Sequence, residues 1–223
     1  MFPFAKSKKR APSVVSLLDR LEHAGRLMTV VALWMLLGAT VGGLVFPGSP
    51  GPKKSDFHPL GAELAPVRLV VPSLDIDAPI LPIQVKDTIL TPPSNYRDVG
   101  WWQDSAKIGS ATGQTVIIGH TVHTGGGEMD NLGSIQTGAI VKVVTKKHTV
   151  WYRETSVMVY SKTLDAKYAQ EVFSQDRPQN RLVLITCTGW TGSVYTSNVV
   201  VFADPLGVPN KHAKVVDVPT QAS

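Results

Sequence analysis

Twenty consecutive residues, Leu27–Phe46 (LMTVVALWMLLGATVGGLVF), carry no charge. A helix rises about 1.5 Å per residue, so this run is long enough for the roughly 30 Å hydrocarbon core of a bilayer. Lys6, Lys8, Lys9, Arg10, Arg20 and Arg26 precede it, against only Asp19 and Glu22. The positive-inside rule predicts a cytoplasmic tail over 1–26, a single transmembrane helix over 27–46 and an extracellular location for the rest. A cleaved signal peptide is the alternative, with Ala39, Gly42 and Gly43 as small residues near a cleavage site. The apolar run exceeds a usual h-region, and both readings export the bulk of the chain. The first 26 residues account for all but one unit of the formal net charge of +5. The exported remainder is nearly neutral, which excludes a basic nucleic-acid-binding domain.

Within the tail, residues 13–26 place Val15, Leu17, Leu18 and Leu21 among charges, a pattern for a short helix on the inner membrane surface. Residues 47–66 (PGSPGPKKSDFHPLGAELAP) are rich in Pro, Gly and Ser and read as an extracellular spacer. From Val67 the chain is dense in β-branched runs bounded by Pro, Gly, Asn and Asp: 67–73, 78–84, 114–120, 139–145, 148–160, 181–187 and 198–203. Short helical turns are expected near Met129–Ile135 and Asp165–Gln170. Many short strands in about 140 residues predict an all-β sandwich or barrel over 67–207, followed by a tail over 208–223. With 43% hydrophobic and 17% charged residues, the chain has enough apolar side chains for a core and is not disordered.

The chain has a single cysteine, so neither an internal disulfide nor a Cys-rich zinc site is available. Cys187 closes the apolar run LVLITC and leads into Thr188-Gly189-Trp190-Thr191-Gly192. It fits both a small core residue and a nucleophile presented at a strand end. A protonated thiol is a poor nucleophile, so a catalytic cysteine needs a basic neighbour, usually histidine. His23 falls in the tail, His58 in the spacer and His212 near the C-terminus, which leaves His120, His123 and His148. Spacing alone does not choose among them.

The ordered segments are more specific. VRLVVPSLDIDAPILPI, TPPSNYRDVGWW, TVIIGHTVH, Met129–Leu132 with Thr137–Gly138, LVLITCTG and YTSNVVVFA follow one another between Val67 and Pro205. Together they resemble the sortase family of cysteine transpeptidases, most of all its actinobacterial class E and F types. The resemblance implies a closed eight-stranded β-barrel with short helices, in which His120 of the "GH" signature is general acid and base and Cys187 of the "TC" signature is nucleophile. It implies an LPxTG-like sorting signal as substrate, cleaved through an acyl-thioester. The partners it implies are proteins bearing C-terminal sorting signals and an amine acceptor from a peptidoglycan precursor or a pilin lysine, at the cell membrane. Neither a cofactor nor a metal is expected; Asp75, Asp77, Glu128 and Asp130 follow no calcium-loop spacing.

One position departs from the family pattern. Where the last core strand of these sortases carries an arginine, this chain has Thr196, and no arginine follows Cys187. Three replacements are consistent with the sequence: neutral hydrogen bonds from Thr196, Ser197 or Asn198; an arginine from elsewhere (Arg97, Arg153 or Arg181); or a weak or inactive barrel that binds sorting signals or envelope partners.

Overall fold

The computed structural model describes residues 51–163 and 166–211. The expected cytoplasmic tail (1–26), the membrane span (27–46) and residues 212–223 of the C-terminal tail lie outside the described residues. Among the described residues, no helix is long and apolar enough to cross a membrane.

Eleven strands are present: β1 (Phe57–His58), β2 (Pro66–Val71), β3 (Ile76–Ile83), β4 (Val85–Lys86), β5 (Ile89–Leu90), β6 (Val99–Trp102), β7 (Gln114–Ile118), β8 (Ile140–Thr145), β9 (Thr149–Ser161), β10 (Arg181–Trp190) and β11 (Tyr195–Pro209). One helix, α1 (Ala166–Phe173), joins β9 to β10. The strands run β11-β10-β7-β6-β3-β2-β8-β9, and β9 pairs back to β11, closing an eight-stranded barrel. Closure leaves no unpaired edge within the ring. The β10–β7 and β3–β6 pairs are parallel and the other six are antiparallel.

Alternation along the strands divides the apolar residues into two layers. Leu69, Val141, Tyr152, Leu182, Leu184 and Val201 fill the barrel interior. Val116, Ile118, Val183, Ile185, Val200 and Phe202 form an outer layer with Val172 of α1. β7 and β10 are apolar on both faces because they lie between these layers, and all five residues of β7 are buried. Each fully buried Val, Leu or Ile contributes about 1.5–3 kcal/mol relative to exposure.

The closed eight-stranded architecture agrees with the sequence-based expectation, and each anticipated run forms a strand. The eighth barrel strand, β6, is four residues of VGWW, too short to show an alternation. Within the expected spacer, residues 51–66 make contacts with the barrel. Phe57 is buried, β1 pairs with Val208–Pro209, and Leu64 exchanges two backbone hydrogen bonds with Ile108. At this crossing Gly207 has φ +120°, and a Cβ there would stand 2.3 Å from the His58 carbonyl oxygen. Only glycine fits.

Candidate active site

β7 and β10 pair in parallel with Ile118 opposite Ile185. The Gly119 N–H continues the ladder by donating to the Ile185 carbonyl at 3.0 Å. That bond is the last rung of the ladder, and His120 and Cys187 each follow two residues after Ile118 and Ile185. The period of two along β10 places Cys187 on the outer face that Ile185 occupies. Both residues are half-buried, and the thiol is free.

Two threonines hold the strand ends together beyond the last ladder bond. The buried Thr186 hydroxyl donates to the Gly119 carbonyl at 3.1 Å. Its proton is thereby committed, so the Thr121 hydroxyl donates to Thr186 Oγ1 at 2.7 Å. His120 and Cys187 therefore each sit next to a member of this clamp.

The segment 91–98, between β5 and β6, crosses His120. His120 Nε2 lies 2.8 Å from the Pro93 carbonyl oxygen. The Tyr96 ring meets the imidazole in a T-shaped contact, with centroids 5.1 Å apart and planes at 75°. Glu128 fastens the segment: its N–H donates to the Tyr96 carbonyl at 2.9 Å, and its carboxylate accepts from Arg97 at 3.2 Å and from the Asp77 N–H at 2.7 Å. Sequence reasoning took TPPSNYR only as part of a family segment and did not single out Pro93 or Tyr96.

His123, the rival partner for the thiol, stacks flat on Trp190 with centroids 4.1 Å apart and planes at 8°. Tyr195 packs against the same indole, with centroids 5.0 Å apart and planes tilted at 54°. Burial raises the Tyr195 phenol above its ordinary pKa, reinforced by Asp130 and the Cys187 sulfur, so it stays neutral. His148 lies in the turn between β8 and β9, where its N–H donates to Thr145 Oγ1 at 3.0 Å. That turn adjoins the start of β9, which runs beside the far end of β11 from Asn198. His148 is thus remote from Cys187.

The candidates for the absent arginine separate clearly. Arg181 opens β10, six residues or about 20 Å from Cys187, with Nε donating to Gln114 (2.8 Å) and Nη2 to the Glu171 carbonyl (2.6 Å). Arg153 pairs across from Asp204, six residues down β11 from Asn198, and donates to the Pro52 carbonyl. Only Arg97 lies on the His120 side, 68% exposed and paired with Glu128. Among the neutral groups, Thr196 spends its hydroxyl on the Gly189 carbonyl at 3.1 Å. Ser197 stands opposite Thr188, on the other face of the sheet from Cys187. Asn198 is the direct antiparallel neighbour of Cys187 and shares its face, where paired Cβ atoms lie about 4.5–5.5 Å apart.

Of the carboxylates weighed as a cation site, Asp77, Glu128 and Asp130 have protein partners. Asp77 pairs with Arg68, which holds its carboxyl below the usual range, and Asp130 accepts from the N–H groups of Val122 (2.7 Å) and Gly127 (3.0 Å). Among the described residues no cluster of three His, Cys, Asp or Glu side chains is arranged for a metal.

The fold defines a class: closed eight-stranded β-barrels of mixed parallel and antiparallel strands. A family profile described as the Sortase domain matches residues 69–206, and the chain belongs to the sortase family of cysteine transpeptidases. A search of curated proteins returns no match. Among solved structures the chain is similar to sortase C-1 from Actinomyces oris, with 22% identity, 64% of this chain and 73% of that chain covered, and a TM-score of 0.51. It is also similar to sortase C1 from Streptococcus suis (18%, 68% and 77%, TM-score 0.53) and sortase A from Corynebacterium diphtheriae (18%, 70% and 67%, TM-score 0.54). At these identities the likeness concerns the fold.

Proposed function

We propose that this chain is a membrane-anchored transpeptidase that cleaves an LPxTG-like sorting signal and joins the acyl fragment to an amine of the cell envelope or of a pilin. The observation that supports the proposal is the parallel β7–β10 register, which, continued two residues beyond Ile118 and Ile185, would set His120 beside Cys187. The uncharged run 27–46 supports the anchor and the extracellular location of the barrel.

In the first step the Cys187 thiolate attacks the threonine carbonyl carbon. The sulfur–carbon bond forms, the carbon–nitrogen bond to glycine breaks, and the His120 imidazolium gives its proton to the leaving amine. In the second step a neutral amine attacks the thioester carbonyl and thiolate leaves. The imidazole accepts the amine's proton, which restores thiolate and imidazolium. The thioester retains the acyl group's reactivity, so the exchange needs no nucleotide. Asn198 supplies an amide N–H toward the carbonyl oxygen, where one well-placed donor contributes about 2.7–4 kcal/mol to the transition state.

The test incubates the full chain with a library of LPxTG-like peptides and glycyl, lysyl or diaminopimelate-type amines. A ligated product whose yield depends on both peptide and amine supports the proposal. A second reading is favoured by the threonine at position 196: a barrel that binds sorting signals without cleaving them. Saturable peptide binding with no product from any peptide–amine pair would establish that reading instead.

A further inference from the structure

The contact between His120 and the 91–98 segment determines which ring nitrogen is available for chemistry. A proline carbonyl only accepts hydrogen bonds, so the 2.8 Å approach of Nε2 to Pro93 requires a proton on Nε2. Nδ1 has no hydrogen-bond partner among the described residues. We propose that the Pro93 carbonyl is a positioning group that fixes His120 as its Nε2–H tautomer and makes Nδ1 the nitrogen that gives and takes the proton. The proposal rests on His120 being the acid and base of the reaction described above.

The carbonyl is suited to that task. Pro92 and Pro93 each have φ fixed by their rings, so the segment loses little entropy in holding this shape. The Tyr96 ring blocks rotation of the imidazole from the side. Glu128, its side chain only 9% exposed, ties Tyr96 and Arg97 to the loop that follows His120. When Nδ1 gains a proton the ring becomes cationic, and the Nε2–H···O bond becomes charge-assisted and stronger. When Nδ1 releases it to the leaving amine, Nε2–H stays with Pro93 and the ring does not turn. This is the service that a third residue gives the histidine in other nucleophile–histidine pairs, here supplied by backbone. The titratable groups on the ring and its segment are Tyr96, in edge contact with the imidazole, and Arg97 and Glu128, paired with each other.

The test is nitrogen NMR of the full chain labelled with 15N-histidine, with the His120 signals identified by their loss in His120→Gln, recorded where the ring is neutral. The proposal expects a protonated Nε2 and a bare Nδ1. A proton on Nδ1 would overturn it, and this readout holds whether or not any peptide is turned over. In Tyr96→Ala the tautomer preference should relax towards a mixture, and kcat should fall about tenfold with KM within twofold. Arg97→Ala, which loosens the same segment without touching the ring, should shift both readouts in the same direction by less. Unchanged spectra and unchanged kcat in both variants would equally overturn the proposal.

Discussion

The two ends of β10 are built differently. At Arg181 the strand is fastened: the guanidinium donates to Gln114 and to the Glu171 carbonyl and lies 3.9 Å over the Phe202 ring, while Gln114 donates to the Glu171 and Ser174 carbonyls. Burial and the like charge of Arg177 lower the Arg181 pKa, and the hydrogen bonds offset that cost. At Cys187 the same strand leaves both apolar layers, and only the Thr186–Thr121–Gly119 clamp holds it to β7. The fastened end sets the register of the strand, and the proposed nucleophile lies where the strand emerges from the packed layers.

The largest effect that would break this comparison lies at the open end. Cys187→Ala should lower transpeptidation at least 10³-fold, with His120→Ala close behind, while thermal unfolding changes little in both. Kinetics with melting curves check this. If either variant keeps a tenth of the activity, the open end is not the reactive one.

The next effect belongs to the closed end. Gln114→Leu takes the partner from Arg181 Nε and a donor from the Ser174 carbonyl, while the Glu171 carbonyl keeps Arg181 Nη2, and should cost about 3 kcal/mol of stability in denaturant unfolding. Turnover by the fraction that remains folded should be unchanged. Asn198→Ala, back at the open end, should reduce kcat about 100- to 1,000-fold, about 2.7–4 kcal/mol, whereas Thr196→Ala stays within threefold because its hydroxyl is engaged by Gly189. A larger loss at Thr196 than at Asn198 would reverse the assignment of the donor.

The smallest effect is electrostatic and lies away from both ends. Arg68 lowers the Asp77 pKa, and a carboxyl lowered in the folded state stabilises above its unfolded value of about 3.9, losing that contribution as pH falls through the folded value. The melting temperatures of the wild type and Asp77→Asn should therefore converge at a pH below the usual carboxylate range and separate slightly at neutral pH. Equal separation at both pH values would contradict the pairing.

Much of the fold was legible because the barrel's long strands are runs of β-branched residues, of which RLVLIT is the plainest. β6 was not, since four residues containing Gly100 and two tryptophans carry no period. β1 was not either: its only reason to be extended is the distant segment Val208–Pro209. Of the site, Cys187 and three histidines were legible as residue types. The choice among the histidines is a matter of register, a tertiary property, and in the sequence it came from the family resemblance alone. Two of the three candidate arginines are excluded only by which end of a strand they occupy. Thr186 was invisible inside an apolar run, because its partner Gly119 lies 67 positions away.

The central claim is that sulfur and imidazole act together on a peptide carbonyl. Intact-mass analysis of the full chain mixed with an LPxTG-like peptide, quenched in acid before an amine is added, tests it most directly. The account predicts a mass increase equal to the peptide fragment ending at threonine, mapped to Cys187, discharged by added amine and absent in Cys187→Ala and His120→Ala. An unmodified Cys187 across the whole peptide library, or an adduct that forms equally well in His120→Ala, would contradict it.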